Sequence, residues 1–170
     1  MRKKARELAR FTSLAAALLA LALLLAAPVA ATPPDKIVIS DIHIEQVDNT
    51  SCDFPFREVF DGRVTITTYV DEDGNPTRLK FHLPFHGTLT NEATGESVSA
   101  DQVLQETDDL EEGTQSLVGL RFRVAFPGLG VVLLDAGKIV FDADGDVVFE
   151  AGPHQVFNED FGEFCVAFAS

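Results

Sequence analysis

Alternating apolar residues in the stretch 118–151 constrain the fold of this chain more than any other feature. Every second position from 118 to 126 is a large apolar residue: Val118, Leu120, Phe122, Val124 and Phe126. This period of two predicts a strand with one buried face, because successive side chains of a strand point to opposite sides. Further apolar runs and an Asp-Gly turn follow closely, so the stretch predicts several antiparallel strands joined by short turns.

Similar patterns occur along the rest of the chain. They predict strands at residues 36–47, 62–70, 78–83, 87–90 and 97–103, with a break at Pro84. The acidic segment 105–113 predicts a solvated loop. The one helix is predicted at 158–169, because Asn158 can cap it and an apolar stripe follows: Phe161, Phe164, Cys165 and Phe168.

We therefore predict an all-β fold. An antiparallel meander of about eight strands closes into a barrel, followed by the short C-terminal helix. A two-sheet β-sandwich is the alternative. The barrel is favoured because sequential hairpins can close it without crossing loops, and closure removes the free edges of the sheet.

Residues 1–31 have the pattern of a secretory signal peptide. Five basic residues precede an apolar run from Leu14 to Ala27, and the small residues before Thr32 suit a signal peptidase. We predict cleavage before Thr32, with an uncleaved anchor as the alternative. A single β-domain at 32–170 would then begin with an extended leader at 32–36. The predicted location is secreted, or extracellular.

The composition makes the predicted mature chain strongly acidic. Removing residues 1–31 takes away five of the 13 basic and one of the 27 acidic residues, leaving 8 cations against 26 anions, a formal charge of −18. Nucleic acids and anionic membrane surfaces both bind cationic footprints. We therefore expect neither as a partner, and the acidic surface is typical of a soluble protein outside the cell.

The chain contains two cysteines, Cys52 and Cys165. In an oxidising compartment such a pair is expected to form a disulfide. The bond would tie the two ends of the domain together and pin the predicted helix against the sheet. A catalytic cysteine is the less favoured interpretation, because Asp53 and Glu163 stand beside the cysteines and would raise, not lower, the pKa of a thiol.

His82 and His86 are weak candidates for ligand binding. In a strand their Cα atoms would lie roughly 13 Å apart, too far to share a metal ion. The segments 71–75 and 142–146 resemble pieces of calcium loops, but both lack the completing Glu, and Asp-Gly is a strong hairpin signal. We predict turns there, no metal site, no cofactor and no catalytic residue.

Arg121 and Arg123 are the other candidate ligand-binding residues. They alternate with the apolar row of their strand, so we expect both on the outer surface, paired with acids of neighbouring strands. If the barrel instead enclosed a polar cavity, the two arginines would hold an anionic ligand.

The chain resembles a loose group of uncharacterised secreted bacterial proteins of similar length. The resemblance rests on the segments 52–55, 89–95, 137–142 and 148–154 and on Cys165. It implies a secreted, all-β domain with a single disulfide and implies no named activity.

Three functions remain open on these grounds. The leading one is a secreted binding or interaction module, which holds a small apolar ligand or contacts an extracellular protein. The second is a small enzyme of the isomerase or cyclase type, with His82, His86 and Arg121 in one pocket. The third is a cell-envelope structural protein without a ligand.

Overall fold

Seven antiparallel strands and one short helix make up the described part of the chain, residues 33–169 of a computed structural model. The strands are β1 (Asp35–Asp48), β2 (Phe56–Val70), β3 (Pro76–Asn91), β4 (Ser97–Asp109), β5 (Thr114–Phe126), β6 (Gly130–Phe141) and β7 (Val147–Ala151), and the helix is α1 (Gly162–Phe168). All strands belong to one sheet, in which each pairs with its neighbours in sequence.

The sheet formed by the described residues has two edge strands, β1 and β7. Within residues 33–169, β1 pairs only with β2 and β7 pairs only with β6. The all-β meander and the short C-terminal helix are therefore confirmed. The predicted closure into a barrel is not found in this part of the chain, and the single sheet also differs from the two-sheet sandwich.

One face of the sheet, the inner face, carries the hydrophobic core. It is built from alternate residues of β2 to β6 and is covered at one end by Phe164 and Phe168 of α1. Phe85 lies against Gly62, and Phe60 lies against Gly87. A Cβ atom at either glycine would collide with the phenylalanine ring and also with a backbone carbonyl oxygen, of Pro84 or of Val59, so these two positions admit only glycine without a shift of the backbone.

A β-bulge at Arg121 changes which side chains of β5 face the core. The pairing with β6 shifts between Leu120 and Phe122, so one extra residue enters the strand. Val124 is fully buried, whereas Val118 is 42% exposed. The predicted single buried row from 118 to 126 is therefore wrong, because a bulge exchanges the two faces of a strand.

β3 runs without a break through Pro84. Its pairing with β2 lapses between Gly62↔Phe85 and Thr65↔His82, at the position of Pro84. The missing N–H of proline therefore leaves no ladder partner unsatisfied on that side. The predicted interruption of the strand at Pro84 is wrong.

β4 continues into the acidic segment that was predicted to be a loop. It ends at Asp109, and the turn that follows is limited to residues 110–113. Polar partners on adjacent strands stabilise the acids in this part of β4. Gln115 donates hydrogen bonds to Glu106 and Asp108, and Arg78 forms an ion pair of 2.9 Å with Asp109.

The two Asp-Gly segments form turns, as predicted. Asp71 accepts hydrogen bonds from the backbone N–H groups of Asp73 and Asn75. Asp142 accepts the equivalent pair in the turn between β6 and β7. In both turns the first aspartate holds the backbone, as is typical of an Asx-turn.

The predicted disulfide between Cys52 and Cys165 is confirmed, with the Cα atoms 5.6 Å apart. Cys165 lies in α1, so the bond attaches this helix to the segment between β1 and β2. The helix is shorter than predicted and begins at Gly162. Asn158 does not cap it, because Phe161 is the N-cap residue. Asn158 lies in a preceding turn, where its N–H donates to the carbonyl oxygen of His154, and Glu159 has a positive φ of 57°.

The predicted signal peptide and its cleavage before Thr32 fall outside the described residues. Within residues 33–169, no helix has both the length and the apolar character needed to cross a membrane.

Candidate functional site

Two adjoining cavities lie on the inner face, and together we call them the inner cleft. The cavity next to α1 has a volume of about 280 Å³, and the cavity further along β1 has a volume of about 450 Å³. Gln46, Glu58 and Phe122 line both cavities. Most of the remaining lining is apolar, including Ile42, Ile44, Phe60, Leu89 and Leu133.

The alternation of β2 brings a carboxyl group into this apolar surface. Phe56, Glu58 and Phe60 occupy alternate positions of the strand, so all three side chains point to the inner face. Both phenylalanines are buried, and Glu58 is half-buried between them. On the neighbouring strand Gln46 stands opposite Glu58, and its Nε2 donates a hydrogen bond to the carboxyl group.

Burial is the main influence on the ionisation of Glu58. Removal from water disfavours the carboxylate and raises its pKa above the ordinary glutamate value, in spite of the hydrogen bond from Gln46. The nearby charge of Asp48 raises the pKa further. Glu58 is therefore a carboxyl group in a setting that a cation or a hydrogen-bond donor would stabilise.

Asp48 lines the cavity next to α1, but its oxygens are already engaged. It accepts hydrogen bonds from the backbone N–H groups of Thr50 and Ser51 and from both of their hydroxyl groups. Burial opposes its ionisation, but these hydrogen bonds outweigh burial and lower the pKa of Asp48. Asp48 thus holds the turn after β1, whereas Glu58 accepts a hydrogen bond only from Gln46 among the described residues.

Substituting Glu58 by glutamine is expected to stabilise the protein at neutral pH. The raised pKa of Glu58 means that the folded state binds its proton more tightly than the unfolded state. The free energy of unfolding therefore falls as the pH rises through the pKa that Glu58 has in the folded state. Glutamine does not ionise, so Glu58→Gln avoids this fall. Denaturant unfolding should show a higher free energy for the variant at neutral pH, and no difference below the pKa of an unfolded glutamate, about 4.3.

The exposed variant Glu111→Gln is the matched control, because it removes the same charge from the turn between β4 and β5. It should leave the stability unchanged at both pH values. A loss of stability in Glu58→Gln at neutral pH would contradict the expected effect of burial.

The outer face carries three of the four candidate residues from the sequence. His82, His86 and Arg123 are exposed and lie on the side opposite to the core. His82 and His86 therefore do not share a pocket with Arg121. The isomerase or cyclase alternative required these side chains to converge, and the structure separates them.

His86 and Arg123 belong to a row of ionisable groups that crosses five strands of the outer face. The register aligns His43, Asp61, His86, Asp101 and Arg123 in that order. His43 and His86 each lie 2.8 Å from an aspartate of the next strand, and the hydrogen bond and charge of Asp61 raise the pKa of His43. No group of three His, Cys, Asp or Glu residues in the range 33–169 could hold a metal ion.

Arg121 lies on the inner face, contrary to the expectation that it faces outwards. The bulge turns its guanidinium towards the fully buried Asp135, with 3.8 Å between Nη1 and the carboxylate, and over the ring of Phe157. Asp135 also accepts hydrogen bonds from Phe157 N–H and from the buried ring of His154. This cluster anchors the segment after β7 against β6.

Sequence reasoning missed Asp135, His154 and Glu58, although two of them left a signal. Asp135 is the one acidic residue of a mostly apolar strand, and Glu58 stands between two phenylalanines at alternate positions. Both patterns indicate a carboxylate on a buried face. His154 has no such pattern, because it lies in an irregular segment whose path depends on the fold.

Comparison with known proteins finds no family model, no curated protein and no solved structure that matches the chain. The function is therefore inferred from the geometry of the inner cleft.

Proposed function

We propose that this protein is a secreted binding module that holds a small apolar ligand in the inner cleft. The observation that carries the proposal is the pair of apolar cavities between β1 and the core. Ligand sites are typically concave and mostly apolar, with volumes of about 300–1,000 Å³ and a few polar groups that orient the ligand. Gln46 and Glu58 are the polar residues that line both cavities of this cleft.

The disulfide supports the secreted part of the proposal. Stable disulfides form in oxidising compartments, whereas thiols of cytosolic proteins are kept reduced. The Cys52–Cys165 bond and the signal-peptide pattern of residues 1–31 point to the same location.

A neutral fluorescent probe and two tryptophan variants test the ligand site. Ile44 lines the cleft from β1, and Val47 lies on the outer face of the same strand. Both side chains are exposed, so a tryptophan at either position can be compared directly. We expect the neutral dye N-phenyl-1-naphthylamine to bind the wild-type protein. The bulky Ile44→Trp should fill the cleft and abolish binding, whereas Val47→Trp should retain it.

Equal binding by both variants would overturn the inner cleft as the site. Absence of dye binding to the wild-type protein would contradict the ligand-binding role. An interaction role or a cell-envelope role would then remain. Native mass spectrometry of protein from its host's culture medium provides an independent check. It should show a chain beginning at Thr32 with an intact disulfide and a small molecule that is released on denaturation.

A further inference from the structure

We propose that the inner cleft selects apolar ligands that carry a protonated amine, which binds Glu58, over ligands with a neutral or anionic head group. This inference rests on the proposed function, because it specifies the ligand of the same cleft. It follows from the charges that line the cleft and from the unused hydrogen-bonding capacity of Glu58.

The charged groups of the cleft have one sign. Among the described residues that line the two cavities, the charged ones are Asp48 and Glu58, and none is Lys, Arg or His. Arg121 lies elsewhere on the inner face and is directed at Asp135. The cleft therefore offers an anionic ligand no counter-charge, and it brings two carboxylates towards a ligand cation.

Glu58 is the carboxylate that is available to a ligand. Asp48 is occupied by Thr50 and Ser51, whereas the hydrogen bond from Gln46 reaches only Oε2 of Glu58. A primary ammonium group has three donors and no acceptor, so it can bind Oε1 of Glu58 and still donate to Gln46. The amide oxygen of Gln46 is the acceptor for that second bond.

The half-buried position makes this contact stronger than a surface contact. Charges interact more strongly where water is excluded, and a charge-assisted hydrogen bond contributes more than a neutral one. Because burial raises the pKa of Glu58, a ligand cation would compensate for the water that the carboxylate has lost. A ligand carboxylate in the same position would add a third negative charge.

Three probes with the same decyl chain separate the head-group effect from the apolar effect. Decylamine, decanol and decanoate are titrated into the protein by calorimetry at neutral pH, below their aggregation limits. The amine is protonated and the acid is ionised under these conditions. We expect decylamine to bind at least about tenfold more tightly than decanoate, with decanol between them.

Two isosteric variants assign the preference to one residue. In Glu58→Gln, decylamine should bind no more tightly than decanol, so that the preference for the amine over the alcohol is lost. The exposed Glu111→Gln lowers the negative charge of the protein equally and should keep the preference. Circular dichroism of both variants checks that they are folded.

The outcomes separate this inference from the proposed function. Equal binding of the three probes, or an amine preference that survives Glu58→Gln, would overturn the amine selectivity and leave the apolar site intact. Failure of all three probes to bind would overturn both. If Glu58→Gln loses the amine preference and Glu111→Gln keeps it, the result supports both the apolar site and the amine selectivity.

Discussion

Replacing Cys52 and Cys165 together with alanine is expected to lower the free energy of unfolding by about 4–5 kcal/mol. The disulfide joins residues that are 113 positions apart, so it restricts most of the unfolded domain. Chain-entropy estimates for loops of this length give a large effect, because the cross-link removes many conformations from the unfolded state. Urea unfolding of the wild type and the double variant measures the difference.

Reduction of the wild-type protein is the control for the alanine substitutions. The reduced protein and the double variant should have similar stabilities, because both lack the cross-link. A difference of less than about 1 kcal/mol between oxidised and reduced protein would contradict the entropic estimate.

Phe168→Ala is expected to destabilise the fold by about 3–5 kcal/mol. The side chain is fully buried, and its ring lies within 6.0 Å of the ring centroids of Phe54, Phe56, Phe126 and Phe164. Truncation leaves a cavity in this aromatic cluster as well as removing apolar contact. Denaturant unfolding at neutral pH provides the measurement.

Val166→Ala is the matched control on the same helix. Val166 is 76% exposed, so its truncation should change the free energy of unfolding by no more than about 0.5 kcal/mol. A loss in Phe168→Ala that is no larger than the loss in Val166→Ala would show that α1 does not seal the core. The disulfide and Phe168 are close in space, so their effects should not be additive.

Most strands could be predicted from the sequence, but which face of each strand is buried could not. Period-two patterns identify a strand because each strand alternates locally, and β2 illustrates this. The bulge at Arg121 adds one residue to β5 without a local sequence signal. The side chains of β5 before the bulge therefore lie on the face opposite to the one that a regular alternation predicts. The inward position of Arg121 and the exposure of Val118 both follow from that single residue.

The disulfide was predictable because the chain has two cysteines, whereas the inner cleft was not. The cleft depends on where the segment after β7 and α1 cross the inner face, which tertiary contacts decide. The contact between Asp135 and the N–H of Phe157 is one of these, and it joins residues 22 positions apart. The acidic part of β4 was missed for a related reason, because its partner Gln115 lies on the next strand.

Among residues 33–169, the edge strands β1 and β7 each pair with one strand, and this affects how the protein behaves at high concentration. Exposed apolar side chains such as Val38 on β1 and Val148 on β7 accompany free backbone groups, a combination that promotes edge-to-edge pairing between molecules. The formal net charge of −14 opposes such encounters by mutual repulsion. Acidification neutralises the carboxylates, so colloidal stability should fall sharply in acid, with filaments or precipitate as the product. Concentrated stocks should therefore be kept near neutral pH and at low salt.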